Sequence, residues 1–328
     1  AVPFEPEACR WFCTMTVSKL HHFNPQFVLR CFADENGRIT TIRQPERRSR
    51  TSRVRETGAE NHLYSMPGHP HGSDVFEKAL GAGIETETAL LFERVVKGEW
   101  PLPQLDRNTL AEFIALQIIR GPEQRRLMES TASRLVKSAV AHLGMDGMTR
   151  WASDTAGQPI TDEEAEELLK LVTEDDGVVI PYTARDRIDM MGQVTEPVAG
   201  FIAARPWTLV RFTRRSLITS DSPVSLVAYE QPGTWMGVGV SNARFVLYPM
   251  TRRIGIIMRD PLENVGSEDD LSGLVAQARS GELDDAIVGT TSIEKMMNEY
   301  TAAHAINNIY HHPDDLRFVP AGYREIAR

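Results

Sequence analysis

Cysteine is scarce in this chain of 328 residues, and its three cysteines, Cys9, Cys13 and Cys31, all fall in the first tenth. An odd count with no repeated Cys-x-x-Cys pair excludes a zinc ribbon and fits a reducing, cytosolic setting. No run approaches the roughly 18 to 20 consecutive apolar residues that a membrane-spanning helix needs. The start also lacks a basic region followed by a long apolar stretch, so neither secretion nor membrane insertion is expected, and the cytoplasm is the expected location. Equally absent are a Walker loop, a Gly-x-Ser-x-Gly elbow, a His-Glu-x-x-His pair and a dinucleotide fingerprint, which removes support from the well-marked enzyme classes. Positive charge is in deficit, with 36 Lys and Arg against 45 Asp and Glu, a net charge of -9. That balance argues against a protein whose whole surface embraces nucleic acid.

Apolar residues make up 41% of the chain, enough for a substantial core, so a folded domain over residues 15–328 is expected. Residues 1–14 precede the first methionine, Met15, and read as a disordered or non-native appendage. One local exception to the acidic balance stands out. Arg43, Arg47, Arg48, Arg50, Arg53 and Arg55 face a single acid, Glu46, within that stretch. Two readings stay open for it: a solvated loop or edge strand, or a surface that contacts a phosphate-bearing or nucleic-acid ligand.

Periodicity gives an α+β fold that is predominantly helical, with a small antiparallel sheet built mainly from the C-terminal half and a hairpin near the N-terminus. Asn24-Pro25 predicts a short capped helix just after His21-His22. Asn36-Gly37 supplies a turn into a strand over Arg38–Ile42. Apolar spacing from Val75 to Val96 is helical but loosened by Gly81 and Gly83. A buried helix follows, capped by Asp106 or Asn108 and broken at Pro122, which has no amide hydrogen to give. Thr161 and Glu164 have capping-box spacing. Short β-branched runs at Thr208–Phe212, Ser216–Thr219, Phe245–Tyr248 and Ile254–Met258 predict strands. A last helix is expected over Ser292–Ile309, ended by His311-His312-Pro313 as a C-terminal cap.

Some polar residues stand where their neighbours force them inward. His21-His22 precedes an apolar helix, so one imidazole must pack near the core or bond a backbone group. Arg120 ends an apolar helix and needs Glu85, Glu93, Asp221 or an anion as partner. Thr219-Ser220-Asp221-Ser222-Pro223 ends a strand, where turn chemistry and a site role compete.

These residues carry a resemblance. His22-Phe-Asn-Pro25 with Leu29 and Phe32, Glu60 with Tyr64, Gln117-Ile-Ile-Arg120-Gly-Pro122, Thr219-Ser220-Asp221-Ser222-Pro223-Val224, and the run from Asn298 to Tyr310 together resemble the bacterial "domain of unknown function 4238" family. Ser222 departs from the family's usual Asn. The order of motifs spans His21 to Tyr310. The resemblance carries no assigned chemistry, but it coincides with the residues that are hard to place on a surface: His22, Glu85, Gln117, Arg120, Ser220, Asp221 and Asn298.

Two functions fit. In the first, a hydrolase acts on a phosphate ester or nucleic acid: His22, Glu85 and Asp221 serve as acid and base or hold a divalent metal ion, while Arg120, Gln117, Ser220 and Asn298 bind substrate. In the second, the protein binds or regulates without catalysis; the buried polar network fixes the fold, and the arginine stretch meets an acidic or nucleic-acid partner. Position discriminates between them. An open cleft with unused hydrogen-bonding capacity favours the enzyme, and sealed, satisfied side chains favour the binder.

Overall fold

A computed structural model describes residues 19–173, 183–229, 237–264 and 268–324. The expected appendage over residues 1–14 lies outside them. Strand β1 (Leu20–His22) opens the described chain, followed by α1 (Gln26–Arg30), the hairpin of β2 (Arg38–Arg43) and β3 (Arg48–Arg53), and β4 (Ala59–Asn61), which returns antiparallel to β1. The helix after His21-His22 is present but only five residues long, and Pro25, not Asn24, stands at its N-cap. The Asn24 side chain is committed elsewhere, donating from Nδ2 to the Ser220 carbonyl at 3.1 Å.

The helical half runs through α2 (Val75–Leu80), α3 (Thr86–Val96), α4 (Gln104–Ile119), α5 (Pro122–Ala156), α6 (Asp162–Thr173) and α7 (Ala184–Ala203). The weakness expected at Gly81 and Gly83 is a widened turn between α2 and α3, where Gly83 leaves helical geometry (φ -96°, ψ -113°). Helix α4 starts at Gln104 after Pro103, ahead of the expected caps Asp106 and Asn108. The Pro103 carbonyl accepts the Arg107 amide at 2.9 Å, and the Asp106 carboxylate pairs with Arg94 at 2.7 Å instead of capping. Pro122 occupies the first turn of α5, where its missing N–H costs nothing, so α4 and α5 are separate helices. Thr161 and Glu164 form the expected capping box, the Thr161 amide donating to Glu164 at 2.8 Å.

The C-terminal half supplies β5 (Trp207–Arg211), β6 (Thr219–Ser220), β7 (Ser225–Val227), β8 (Phe245–Thr251), β9 (Ile254–Arg259), α8 (Glu268–Ser280), β10 (Asp285–Val288), α9 (Thr291–His304) and β11 (Asn308–His311). The fold is α+β, but its sheets differ from the expected pair. One five-stranded sheet has the order β10-β5-β9-β8-β7, with β10 parallel to β5 and the other pairings antiparallel. A four-stranded sheet, β3-β2-β11-β6, joins the N-terminal hairpin to C-terminal strands. The expected last helix therefore stops at His304, and its final residues become β11. His311 lies in that strand, and His312 caps the start of a 3-10 turn, its Nδ1 accepting the Asp314 amide at 3.1 Å, where a helix C-cap was expected.

The main core packs Leu29, Phe32, Phe113, Trp207, Tyr248 and Met297 between the five-stranded sheet and helices α1, α3, α4 and α9. The Leu, Phe and Met side chains among them each contribute roughly 1.5–3 kcal/mol on burial. Ile42, Ile218, Ala302, Ile309 and Val319 form a smaller core on one face of the four-stranded sheet. No helix among the described residues is long and apolar enough to cross a membrane.

Candidate functional site

The other face of the four-stranded sheet carries Arg43, Arg48 and Arg50. Residues directly opposite across an antiparallel pair share a face, and alternate residues along a strand do too. Arg43 opposes Arg48, and Thr41 opposes Arg50. Asn308 and Tyr310 of β11 continue the rows through Arg43 and Thr41. This face, with Ser52, lines a hollow of about 520 Å³. Its far wall is Phe23 and the segment from Thr57 to Glu60.

The wall is held in place by a close approach. Gly58 has φ +66°, and a Cβ there would lie 2.9 Å from the Asn24 Cβ. Its carbonyl accepts both the Phe23 amide (3.0 Å) and the Asn24 amide (3.1 Å). A side chain at this position would push the wall outward as well as strain the backbone.

Neither Arg48 nor Arg50 has an ion-pair partner among the described residues, and Arg43 meets only exposed Glu46, at 3.9 Å. The two acids on the rim are already paired: Glu56 with Arg55 at 3.6 Å, and Glu60 with Arg125 through two bonds of 2.6 and 2.7 Å. The hydrogen bond from Arg125 holds the Glu60 carboxyl below its usual range. Arg126, the next residue on α5, donates to the Asn307 side chain at 2.8 Å. The first turns of α5 thus tie both walls of the hollow together.

Asp221 sits behind this hollow. It is 1% exposed, and its two carboxylate oxygens accept the amides of Ile306 (2.9 Å), Asn307 (2.8 Å) and Asn308 (3.0 Å). Burial pushes its carboxyl up, against the pull of those amides. The contacts turn the chain out of α9 and into β11, which sets Asn307 and Asn308 on the rim. Ser220 makes a local turn, its hydroxyl donating to the Ser222 carbonyl at 2.8 Å and accepting the Ser222 amide at 3.2 Å. Asn298 is fully engaged: Oδ1 accepts the Ile218 amide at 3.0 Å, and Nδ2 donates to Ser216, Glu294 and Phe318.

A second group gathers at the α2–α3 junction. Arg120, 2% exposed, donates to Glu85 at 2.8 Å, and with the Gln117 amide oriented to present its oxygen, Arg120 Nη2 donates to it at 2.9 Å. Of the partners expected for Arg120, Glu85 is the one chosen. Burial pushes the nearby Tyr64 hydroxyl up to about 12, with Arg120 acting in the opposite direction. His22 and Glu85 both line a groove of about 450 Å³ together with Glu77. Glu77 accepts the His22 amide at 2.9 Å, and its carboxylate lies 3.7 Å from His22 Nδ1. Of the His21-His22 pair, His21 is the one that packs inward, its Nδ1 accepting the Tyr64 amide at 2.9 Å.

The structure thus brings together His22 and Glu85, and Glu85 with Arg120 and Gln117. Asp221 and Ser220 lie behind the arginine hollow, and Asn298 bonds to the segment leading into β6. Among the described residues no group of three or more His, Cys, Asp or Glu side chains is placed to hold a metal ion. Sequence reasoning missed Glu77, Arg125 and Asn307 as site residues; the Glu60–Tyr64 motif was the available signal for Arg125, the partner of Glu60.

A family model described as "Protein of unknown function (DUF4238)" matches residues 20–315. The chain belongs to this family. The match spans every residue of the arginine hollow and of the Arg120 group, so both lie within the part of the chain that defines the family. No curated protein and no solved structure matches the chain.

Proposed function

We propose that this protein binds a phosphate-bearing ligand in the hollow on the β2–β3 hairpin, without chemistry of its own at that site. One observation carries the reading: Arg48 and Arg50 share a face with Arg43, line a 520 Å³ hollow and, among the described residues, have no carboxylate paired to them. Arginine's planar fork suits phosphate oxygens, and leaving such forks without acid partners in an otherwise acidic chain fits an anion that arrives from outside. The polar residues behind the hollow support binding over catalysis, because a general acid or base needs free capacity toward the substrate. Asp221 spends both oxygens on backbone amides, and Glu56 and Glu60 are ion-paired.

The hydrolytic reading retains one favourable observation, the shared groove of His22, Glu77 and Glu85. Asp221 does not line that groove, and Glu85 is drawn to Arg120. The experiment is thermal unfolding in inorganic phosphate against chloride at matched ionic strength. Phosphate is expected to raise the midpoint of wild type and not that of an Arg48→Ala/Arg50→Ala double variant. An equal shift in both proteins would remove the hollow as the site, and phosphate-ester turnover lost in His22→Ala would restore the hydrolase.

A further inference from the structure

We infer that the ligand of the arginine hollow is a small phosphate monoester, of the size of a sugar phosphate or mononucleotide, and not a nucleic-acid strand. This rests on the reading of the hollow as a phosphate site and narrows it to one class of ligand. The first argument is size. At about 520 Å³ the hollow falls in the range that encloses a single small organic molecule.

The second argument is the distribution of charge. A protein that tracks a single strand needs a positive groove running over several nucleotides, interleaved with exposed aromatic platforms. Here the basic residues do not continue along the hairpin, and Arg125 and Arg126 beside the hollow are engaged by Glu60 and Asn307. Arg38 and Arg53 oppose each other on the opposite face of the hairpin, Arg47 lies in its turn and Arg55 in the 3-10 turn after β3, and none of these lines the hollow. The rim where a neighbouring phosphate would lie carries Glu56 and Glu60. Tyr310, the aromatic residue on the sheet floor, is 1% exposed and offers no open stacking face.

The third argument is chemical matching. A terminal phosphate carries a charge of about -1.5 to -2 near neutral pH and three free oxygens, whereas a diester carries one charge and two free oxygens. Arg43 and Arg48 stand opposite each other and Arg50 is two residues further along its strand, roughly 7 Å away. Three forks on one face of the sheet, all lining the same hollow, suit one group of high charge density. Thr41 and Ser52 on the same floor, with Asn308 at the rim, supply hydroxyl and amide groups for a hydroxylated body.

The test is isothermal titration of the full chain with inorganic phosphate, ribose 5-phosphate, adenosine 5′-monophosphate and a thymidine decamer, at two salt concentrations. Arg48→Ala and Arg50→Ala serve as variants, both altering exposed side chains, with circular dichroism as a check on folding. The expected result is that the monoesters occupy one site per chain, that each variant weakens them roughly tenfold or more, and that the decamer binds no tighter than adenosine 5′-monophosphate. A decamer that binds tighter than the monoesters, with a steep salt dependence lowered by the same variants, would overturn the monoester assignment and leave the phosphate site standing. If no probe binds in a way that depends on Arg48 or Arg50, the phosphate reading falls, and the monoester with it.

Discussion

Replacing Asp221 tests whether this residue builds the site or acts in it. Three backbone amides, those of Ile306, Asn307 and Asn308, end on its carboxylate at 2.8–3.0 Å. Asp221→Ala leaves all three donors without an acceptor. A buried donor left unsatisfied costs about 1–3 kcal/mol, but the three amides belong to half-buried residues that water can reach in part, so the expected loss is about 2–4 kcal/mol in total. Asp221→Asn keeps the shape and one acceptor oxygen, but it turns an NH₂ group toward amide hydrogens and is expected to lose about half as much. Urea unfolding measures both variants. The same titration with phosphate provides the second readout: because Asn307 and Asn308 form part of the rim, weaker binding should accompany the destabilisation and should be partial. A change in stability below about 0.5 kcal/mol for Asp221→Ala would refute the reasoning, as would a folded variant that loses all binding at unchanged stability.

Other consequences are equally direct. Arg107 and Asp284 are both fully buried and joined at 2.7 Å, with Arg107 also donating to the Ala203 and Arg205 carbonyls and stacking over Trp207; Asp284→Asn is expected to cost about 3–5 kcal/mol by chemical denaturation, and a loss under about 1 kcal/mol would count against it. Glu60 has a folded pKa depressed by Arg125, so its contribution to stability is present above its unfolded value of 4.5 and is lost as pH falls through the lower folded value. Glu60→Gln should therefore flatten the acid limb of the stability curve below about pH 4.5, and a curve parallel to wild type would contradict this. A Cβ on Gly289 would stand 2.2 Å from the Phe212 ring, so Gly289→Ala is expected to cost about 1–3 kcal/mol, with Phe212→Leu in the same chain recovering part of it; additive losses in that double-mutant cycle would show that the clash is not the cause.

How much of this was legible in the sequence follows from the range of the forces involved. Local signals were readable: the capping box at Thr161, the helix break at Pro122, the loosened helix at Gly81 and Gly83, and the inward pull on His21 and Arg120. Long-range pairing was not. The run Ser292–Ile309 reads locally as one helix, and only contacts distant in sequence, the Asp221 carboxylate and the pairing with β2 and β6, turn its end into a strand. Strand β10 pairs parallel to β5, a non-local contact with no local signature, and its residues are exposed. Arg107 has no local signal, because the sequence around it reads as apolar helix and its partner Asp284 is far along the chain. The arginine stretch was legible as a basic patch and as an edge strand. Which arginines share a face is a matter of register, and the turn at Arg47, with φ +52°, helps set it. For the candidate site, the sequence marked polar residues that resist surface placement, and the structure sorts them into different neighbourhoods.

Among the described residues β3 stands at the edge of its sheet, which has a consequence for solubility. The edge of a sheet is where a strand from another molecule can add to it. Here that edge bears Arg48, Arg50 and Arg53, and two copies brought edge to edge would set guanidinium against guanidinium. The opposite edge, β6, is only two residues long and offers little to pair with. The charges that leave room for an anion thus also keep the sheet from growing. Alanine at Arg48 and Arg50 removes both properties at once, so aggregation of the double variant on storage is the expected companion of its lost binding.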